Sequence, residues 1–405
     1  MTQPIKIICV ADYYLPGYKG GGPITTIANM RSLLKCAVEI DVFTRNHDLG
    51  SSSTYGCVQT NSWNNSQSGQ IYYASDCSFN YKGLKTAINE SSSTYQLLYL
   101  NSFFGFKSSI EINFKFHRDH PRIPILIAPR GEFSSGALAI KPLRKKLFIM
   151  AASKFRLYDQ INWHASTAHE KNDISKQFSS AANNIYIAED PISIEANFVN
   201  DFRCDPSPKG KLRLVFISRI SSMKNLDGLL DYLGYVKRTV DLDIFGPIED
   251  EVYWGKCKRL ISTLPENIKV TYKSALDPAD VSNTFSKYDM FVFPSRGENF
   301  GHVIFEALRS GTPVLISDQT PWKEDASGAV TVVPLNDALV WVTHLQTAAD
   351  QSPDEKRGLR YAARAYAEKF AADSAILDKN ISMFRTVLTE NCLRSNEQLL
   401  LRTSE

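Results

Sequence analysis

Glu298 and Glu306, with seven residues between them, are the residues of this chain best placed to do chemistry. They belong to the run Gly297-Glu298-Asn299-Phe300-Gly301-His302-Val303-Ile304-Phe305-Glu306-Ala307-Leu308-Arg309-Ser310-Gly311-Thr312-Pro313. The run reads as loop, helix and stop after a strand: Pro294 and Ser295 close the strand, Gly301 stands where the helix starts, and Gly311 suits the position just past its end. A helix that opens from the carboxyl end of a strand offers unpaired backbone N–H groups and a positive dipole end, which a phosphate requires. In an open α/β sheet that edge is where ligands bind. Glu306 interrupts an apolar helix, so its carboxylate needs a partner. A sugar or ribose diol would supply two O–H donors; an Arg or Lys on the helix edge would serve as well. Glu298 also suits a helix entry on electrostatic grounds alone.

Three further segments carry candidates. Ser218-Arg219-Ile220-Ser221-Ser222-Met223-Lys224-Asn225 follows an apolar run and places two cations in a loop, which could equally be a solvated basic loop. Gly17-Tyr18-Lys19-Gly20-Gly21-Gly22-Pro23 allows close approach of backbone to a ligand through Gly21 and Gly22, or forms a surface turn. Its spacing is neither GxGxxG nor a Walker loop, so dehydrogenase and P-loop readings fail. Arg130, in Ala128-Pro129-Arg130-Gly131-Glu132-Phe133, ends a strand where it could bind an acceptor phosphate or make a structural ion pair. Thr167 and Glu170 read as a capping box, and His164 and His169 as structural or surface residues.

The elements that must position these groups follow from short apolar runs. Residues 5–11 read as a buried parallel strand followed by a helix through Ile24, Ile27, Met30, Leu33 and Leu34. Glu39–Thr44, Gln96–Asn101, Ile123–Ala128 and Asn162–Ser166 continue an open parallel sheet. Residues 46–70, rich in Ser, Asn, Gln and Gly, are expected as a surface excursion. The stretch from Asp190 to Lys211 has linker composition. A second series then runs through strands at Leu212–Ser218, Leu242–Phe245, Lys269–Tyr272, Met290–Pro294 and Val314–Ser317, with a helix at Asn225–Val236. Helical sequence from about Tyr361 to Leu401 closes the chain. The expected fold is α/β, with an N-terminal Rossmann-like domain over 1–195, a C-terminal one over 196–377, and a last helix over about 378–405 returning to the first domain. The length of 405 residues also favours two domains.

Composition narrows the class without naming a partner. The chain is 43% hydrophobic and 22% charged, with a net charge of +3, which fits an ordinary globular protein and not a nucleic-acid-coating one. Its seven cysteines form no CxxC pair, which disfavours a disulfide framework or a zinc site and suits a reducing compartment. The start is too short for a signal-peptide core and no run reaches the roughly 18 apolar residues of a spanning helix, so a cytoplasmic location is expected. Lys141–Arg156 joins a basic cluster to apolar residues in a helical pattern. Such a helix could lie peripherally on the inner face of an anionic membrane, or pack as a domain helix with a basic edge.

The segment 297–313, with Phe-Gly between its glutamates and Glu-Ala-Leu and Gly-Thr-Pro-Val after them, resembles the signature of family 4 glycosyltransferases of the GT-B fold. The resemblance covers the C-terminal half closely and the N-terminal half loosely. It implies two Rossmann-like domains facing each other across a cleft, and a retaining transfer of a sugar from a UDP- or GDP-sugar to a saccharide or lipid-linked saccharide, in bacterial polysaccharide or lipopolysaccharide synthesis. It implies that Glu298 contacts the donor sugar, Glu306 the ribose, and the backbone around Asn299, Phe300, Gly301 and His302 the phosphates. Gly21 and Gly22 would form a wall near the diphosphate. Arg219 to Asn225 looks like the family's Gly-Arg-x4-Lys-Asn segment, with Ser218 where Gly is usual; Arg219 and Lys224 would then stabilise the departing diphosphate. Relatives carry a histidine near the position of Arg130. Trp163–Glu170 is similar to the family's Ser-x-x-Glu turn. No metal or other cofactor is implied, and no Asp-x-Asp metal motif stands after a suitable strand. A 2-epimerase, a phosphorylase, or a sugar-nucleotide-binding scaffold without transferase activity are the competing readings.

Overall fold

A computed structural model describes residues 3–192 and 205–403, with side chains described through residue 393. Contacts divide the chain into two units, Met1–Ser193 with Ser374–Glu405, and Ile194–Asp373. The expected boundary between residues 195 and 196 lies outside the described residues.

The first unit is an eight-stranded sheet: β1 Ile5–Val10, β2 Val38–Arg45, β3 Trp63–Ser66, β4 Gly69–Ala74, β5 Leu97–Leu100, β6 Ile125–Ile127, β7 Asn162–Ala165 and β8 Ile185–Ile187. Their order is β3-β4-β2-β1-β5-β6-β7-β8, parallel except for the β3–β4 pair. β1 shows why its sequence is an unbroken apolar run. Ile8 and Val10 enter one buried cluster while Ile7 and Cys9 enter another, so both faces of the strand are covered. Residues 46–70 are not wholly an excursion, because they end in the edge hairpin β3–β4. Trp63 anchors it by edge contact with Tyr72, at 5.4 Å between ring centroids, and by donating Nε1–H to the Ala87 carbonyl at 2.9 Å. A tertiary anchor outweighs the polar Asn-Asn-Ser sequence there.

The closing helical stretch is two helices, Pro353–Ala371 and Ala375–Thr403. The second belongs to the first unit: Met383, Phe384 and Val387 join the cluster of Ile7 and Cys9, and Asn380 donates to the Glu189 carbonyl at 2.8 Å.

The second unit is a six-stranded parallel sheet: β9 Lys211–Ile217, β10 Thr239–Phe245, β11 Ile268–Tyr272, β12 Met290–Phe293, β13 Val314–Ser317 and β14 Val330–Val333, ordered β11-β10-β9-β12-β13-β14. β14 extends the sheet beyond the strands legible in the sequence. Residues 205–211 are less linker-like than their composition. Ser207 N–H donates to Asp289, and Lys356 Nζ reaches the Ser207 hydroxyl at 2.9 Å and the Lys211 carbonyl at 2.7 Å. In each unit the chain's first strand has later strands on both sides, β2 and β5 beside β1, β10 and β12 beside β9. Both units are therefore Rossmann-like, and each has a switch point at the carboxyl end of its first strand, where loops diverge and leave room for a ligand.

Candidate functional site

In the second unit the loops leaving β9 and β12 meet at that switch point. The loop after β9 ends in a short turn, Ser222–Lys224, and Asn225 follows in the left-handed region with φ 56°. Asn225 Oδ1 accepts from Arg296 Nη2 at 2.7 Å, and Arg296 N–H donates to the Met223 carbonyl at 2.8 Å. The two loops are thus tied before Lys224 and Glu298 are considered. Across the tie, Lys224 Nζ donates to Glu298 Oε1 at 2.5 Å, and Ser295 Oγ donates to the same oxygen at 2.7 Å. Lys224 also lies 5.5 Å over the Phe293 ring. Both members of the pair are largely shielded, so a lysine with two further N–H donors is held in fixed position.

The helix His302–Arg309 opens from this loop. Its N-cap, Gly301, has φ 81°, and a Cβ there would come within 2.9 Å of Ile304 Cδ1, so only glycine fits. No side chain caps the helix. Among the described residues no protein carbonyl accepts from the backbone N–H of Phe300 or Gly301. Phe300 is fixed by its ring contact with Trp322 at 5.4 Å and by accepting from Trp322 Nε1 at 2.6 Å through its carbonyl. His302 packs on Phe300 at 4.8 Å between ring centroids. Uncapped amides at a dipole's positive end form an anion-accepting surface.

Glu306 lies one turn along the face of His302. It keeps some accessible surface but is deeply set among protein atoms, and loss of hydration pushes its carboxyl up to about 7, against a weaker downward pull from Arg309. Among the described residues nothing donates a hydrogen bond to its carboxylate, and Arg309 Nε is itself buried without a partner. The helix-edge arginine therefore contributes charge but no hydrogen bond. Arg219 is placed differently from Lys224. It is 42% exposed and pairs with Glu249 at 2.9 Å, a solvated contact of little strength that an anion could displace. Ser218 has no positive φ, so the backbone does not require a glycine there. The tight position is Gly246 opposite, whose Cβ would fall 1.8 Å from the Ser218 carbonyl oxygen.

Ser295, Asn225 and Arg296 were not among the candidates read from sequence. Ser295 had a signal in its place directly after the strand-ending Pro294; the Arg296–Asn225 tie had none, because it joins residues 71 apart.

In the first unit Gly21 caps the helix Gly22–Leu34 with φ 75°, and a Cβ on it would meet nothing within 4 Å. The turn before it is held by Asp48, which accepts from the N–H groups of Tyr18 and Lys19 at 3.1 and 3.2 Å. Gly21 N–H donates to the Tyr18 carbonyl at 3.1 Å, so on this fixed turn the open amide of the helix start is that of Gly22, and Gly21 contributes its lack of a side chain.

Of the two readings of Arg130, the structure contains the ion pair and leaves no donor for a phosphate. The Arg130 side chain is 5% exposed, and its donors go to Asp190 at 2.7 Å, Tyr99 OH at 2.6 Å, Ser166 Oγ at 3.2 Å and Asn101 Oδ1 at 3.1 and 3.0 Å. A guanidinium so engaged has nothing left for a phosphate. The capping box at Thr167 is half correct. Thr167 accepts from Glu170 N–H at 3.1 Å, but the Glu170 carboxylate accepts from Gly131 N–H at 2.7 Å and Ser166 N–H at 2.8 Å. His164 is buried between Tyr99 OH and the Ala188 carbonyl, and burial lowers it to about 4, so it stays neutral and structural. Among the described residues no three His, Cys, Asp or Glu side chains are grouped to hold a metal ion, and no helix is long and apolar enough to cross a membrane.

Residues 200–363 match the glycosyl transferases group 1 family. The match contains Arg219, Lys224, Glu298 and Glu306. Similar proteins include D-inositol 3-phosphate glycosyltransferase of Arthrobacter, 31% identical over 112 residues, 27% of either chain. The chain aligns with between 16 and 42% of the length of the curated relatives it matches. The fold is shared over nearly the whole chain with solved structures. Sucrose-phosphate synthase from Thermosynechococcus elongatus gives a TM-score of 0.71 at 16% identity, over 95% of this chain and 100% of that one. Anabaena HepE, solved with UDP-glucose, gives 0.64 at 13% identity, over 94 and 99%. The architecture is the GT-B type.

Proposed function

We propose that this protein is a retaining, metal-independent glycosyltransferase. It would move a sugar from a nucleotide-diphosphate donor, a UDP- or GDP-sugar, to a saccharide or lipid-linked saccharide in bacterial polysaccharide or lipopolysaccharide synthesis, on the cytoplasmic side. The observation that carries the reading is the joining of Lys224 to Glu298 beside the uncapped start of the helix that bears Glu306. A leaving diphosphate gains negative charge in the transition state. Lys224, the amides at Phe300, Gly301 and His302, and Arg219 once released from Glu249 are the groups that would meet it. Glu298, already aligned by Lys224 and Ser295, would take hydroxyls of the transferred sugar. Asn299 neighbours it in the same loop. Glu306, lacking a protein donor, would accept the two ribose hydroxyls, which supply what burial removed. In this mechanism the acceptor hydroxyl attacks from the leaving-group side and a diphosphate oxygen takes its proton, so no protein nucleophile is needed. In the first unit, the Gly22 amide would offer a second backbone start to an anion, with Gly21 leaving the approach clear. The family match and the HepE complex with UDP-glucose support the donor class.

The test is calorimetric titration of UDP, GDP, ADP and their sugar conjugates without added metal, followed by product analysis by NMR. Binding of one nucleotide diphosphate, weakened at least about tenfold in Glu306→Ala, and a product with the donor's anomeric configuration are expected. Inverted product would remove the retaining assignment. Binding without turnover over a broad acceptor panel would favour a sugar-nucleotide-binding scaffold instead.

A further inference from the structure

The helix Pro142–Lys154 of the first unit has apolar residues on two opposite sides. Ile149 and Ala152 point into the buried cluster with Phe103, Phe133 and Trp163. Leu143, Leu147 and Met150 follow i, i+4, i+7 spacing on the far side and are 76, 60 and 57% exposed. Ile140 before the helix and Phe155 after it are exposed as well, Phe155 to 68%. Scattered apolar residues on a surface are ordinary, but here five large ones fall within sixteen positions, three of them as a strip on one helix face. The strip has a charge signature. Residues 141–156 contain Lys141, Arg144, Lys145, Lys146, Lys154 and Arg156 and no acidic residue. Lys145 is half-buried and its ammonium is engaged, since its Nζ donates to the Ala137 carbonyl at 2.7 Å and lies 4.8 Å over the Phe104 ring. Lys141, Arg144, Lys146 and Lys154 are exposed around the apolar strip, and Arg156, exposed as well, pairs with Asp159. Past Phe155 the surface opens into a cavity of about 610 Å³ whose lining includes Phe114, His117, Arg156 and Leu157.

We infer that this face binds the surface of an anionic lipid bilayer, with Leu143, Leu147, Met150 and Phe155 at the acyl boundary and the surrounding cations among the headgroups. An interfacial helix requires this combination of an apolar strip, covered by nothing among the described residues, and cations flanking it. A second copy of the chain fits poorly on the same face, because two such surfaces would oppose like charge. The inference does not rest on the proposed transferase chemistry, and its test does not use it.

The test is flotation of the full chain with vesicles of pure phosphatidylcholine or of phosphatidylcholine with phosphatidylglycerol. Variants are Leu143→Glu with Leu147→Glu, Arg144→Glu with Lys146→Glu, and Lys258→Glu with Lys287→Glu as a charge-matched control on the other unit. Thermal melts establish that each variant folds. Flotation only with anionic vesicles is expected, weakened by raising salt to about 0.5 M, where the screening length falls below about 5 Å. Each lost cation should weaken binding about fivefold, so the Arg144 and Lys146 reversal should cost at least about twentyfold. The leucine pair should abolish flotation, and the control should leave it within about twofold. Absent flotation, equal flotation with neutral vesicles, or equal loss in the control would overturn the inference. So would a dimer in sedimentation that the leucine variants dissociate, since the strip would then be a protein interface.

Discussion

Glu170 in the first unit and Glu306 in the second are both glutamates set deep near the carboxyl edge of a parallel sheet, and burial pushes both carboxyls up to about 7. Their surroundings differ. Glu170 accepts from two backbone N–H groups, beside an arginine whose donors all have acceptors. The Glu306 carboxylate accepts from nothing among the described residues. A raised carboxyl therefore does not by itself mark a binding site; what separates the two glutamates is whether the fold has already supplied the hydrogen bonds. The same distinction separates Arg130, buried and fully engaged, from Arg219, exposed and loosely paired.

The largest effect expected from this contrast is at Arg130. Arg130→Met would leave Asp190 buried without its ion partner and should lower unfolding free energy by about 3–5 kcal/mol, read by urea melts. Retained stability would mean that the network is not closed as described. Lys224→Ala should cost about 10²–10³ in kcat/KM while costing less stability than Arg130→Met, because Glu298 keeps its bond from Ser295. An equal loss of stability would assign Lys224 a structural role.

The paired glutamates give a sharper test. A carboxyl raised from 4.5 to about 7 favours the folded state while it is protonated. That contribution is complete below about pH 4.5 and is lost as pH rises through 7. Glu306→Gln removes the titration without removing a bond, so its stability relative to the native protein should rise by about 1–3 kcal/mol between pH 5 and pH 8. Glu170→Gln removes the same titration but offers one carbonyl to two N–H donors, so it should be about 1–3 kcal/mol less stable already at pH 5. Melts of both variants at the two pH values would show either opposite signs at the ends of this comparison or none. The smallest effect should be at Arg219: Arg219→Ala should move stability by less than about 0.5 kcal/mol while weakening nucleotide binding in calorimetry.

Much of the site was legible because its parts lie close in sequence. The glycine at the helix start, the interrupted apolar helix and the two glutamates fall within seventeen residues, 297–313. Strands covered on both faces also showed themselves as apolar runs, as β1 does. The hairpin β3–β4 was hidden because Trp63 holds it through Tyr72 and Ala87, not through a pattern of its own. Arg130 was ambiguous for a related reason: its four partners come from positions 99, 101, 166 and 190.

The sequence by itself determined two βα series, their Rossmann-like class and a phosphate-suited loop at 297–313, because hydrophobic period and glycine conformations act locally. Only tertiary structure decided which charges are spent. That Arg130 and Glu170 are satisfied, that Glu306 is not, and that Lys224 reaches Glu298 all depend on loops from non-adjacent segments converging at the ends of parallel strands, where partners are set by sheet order and not by spacing along the chain.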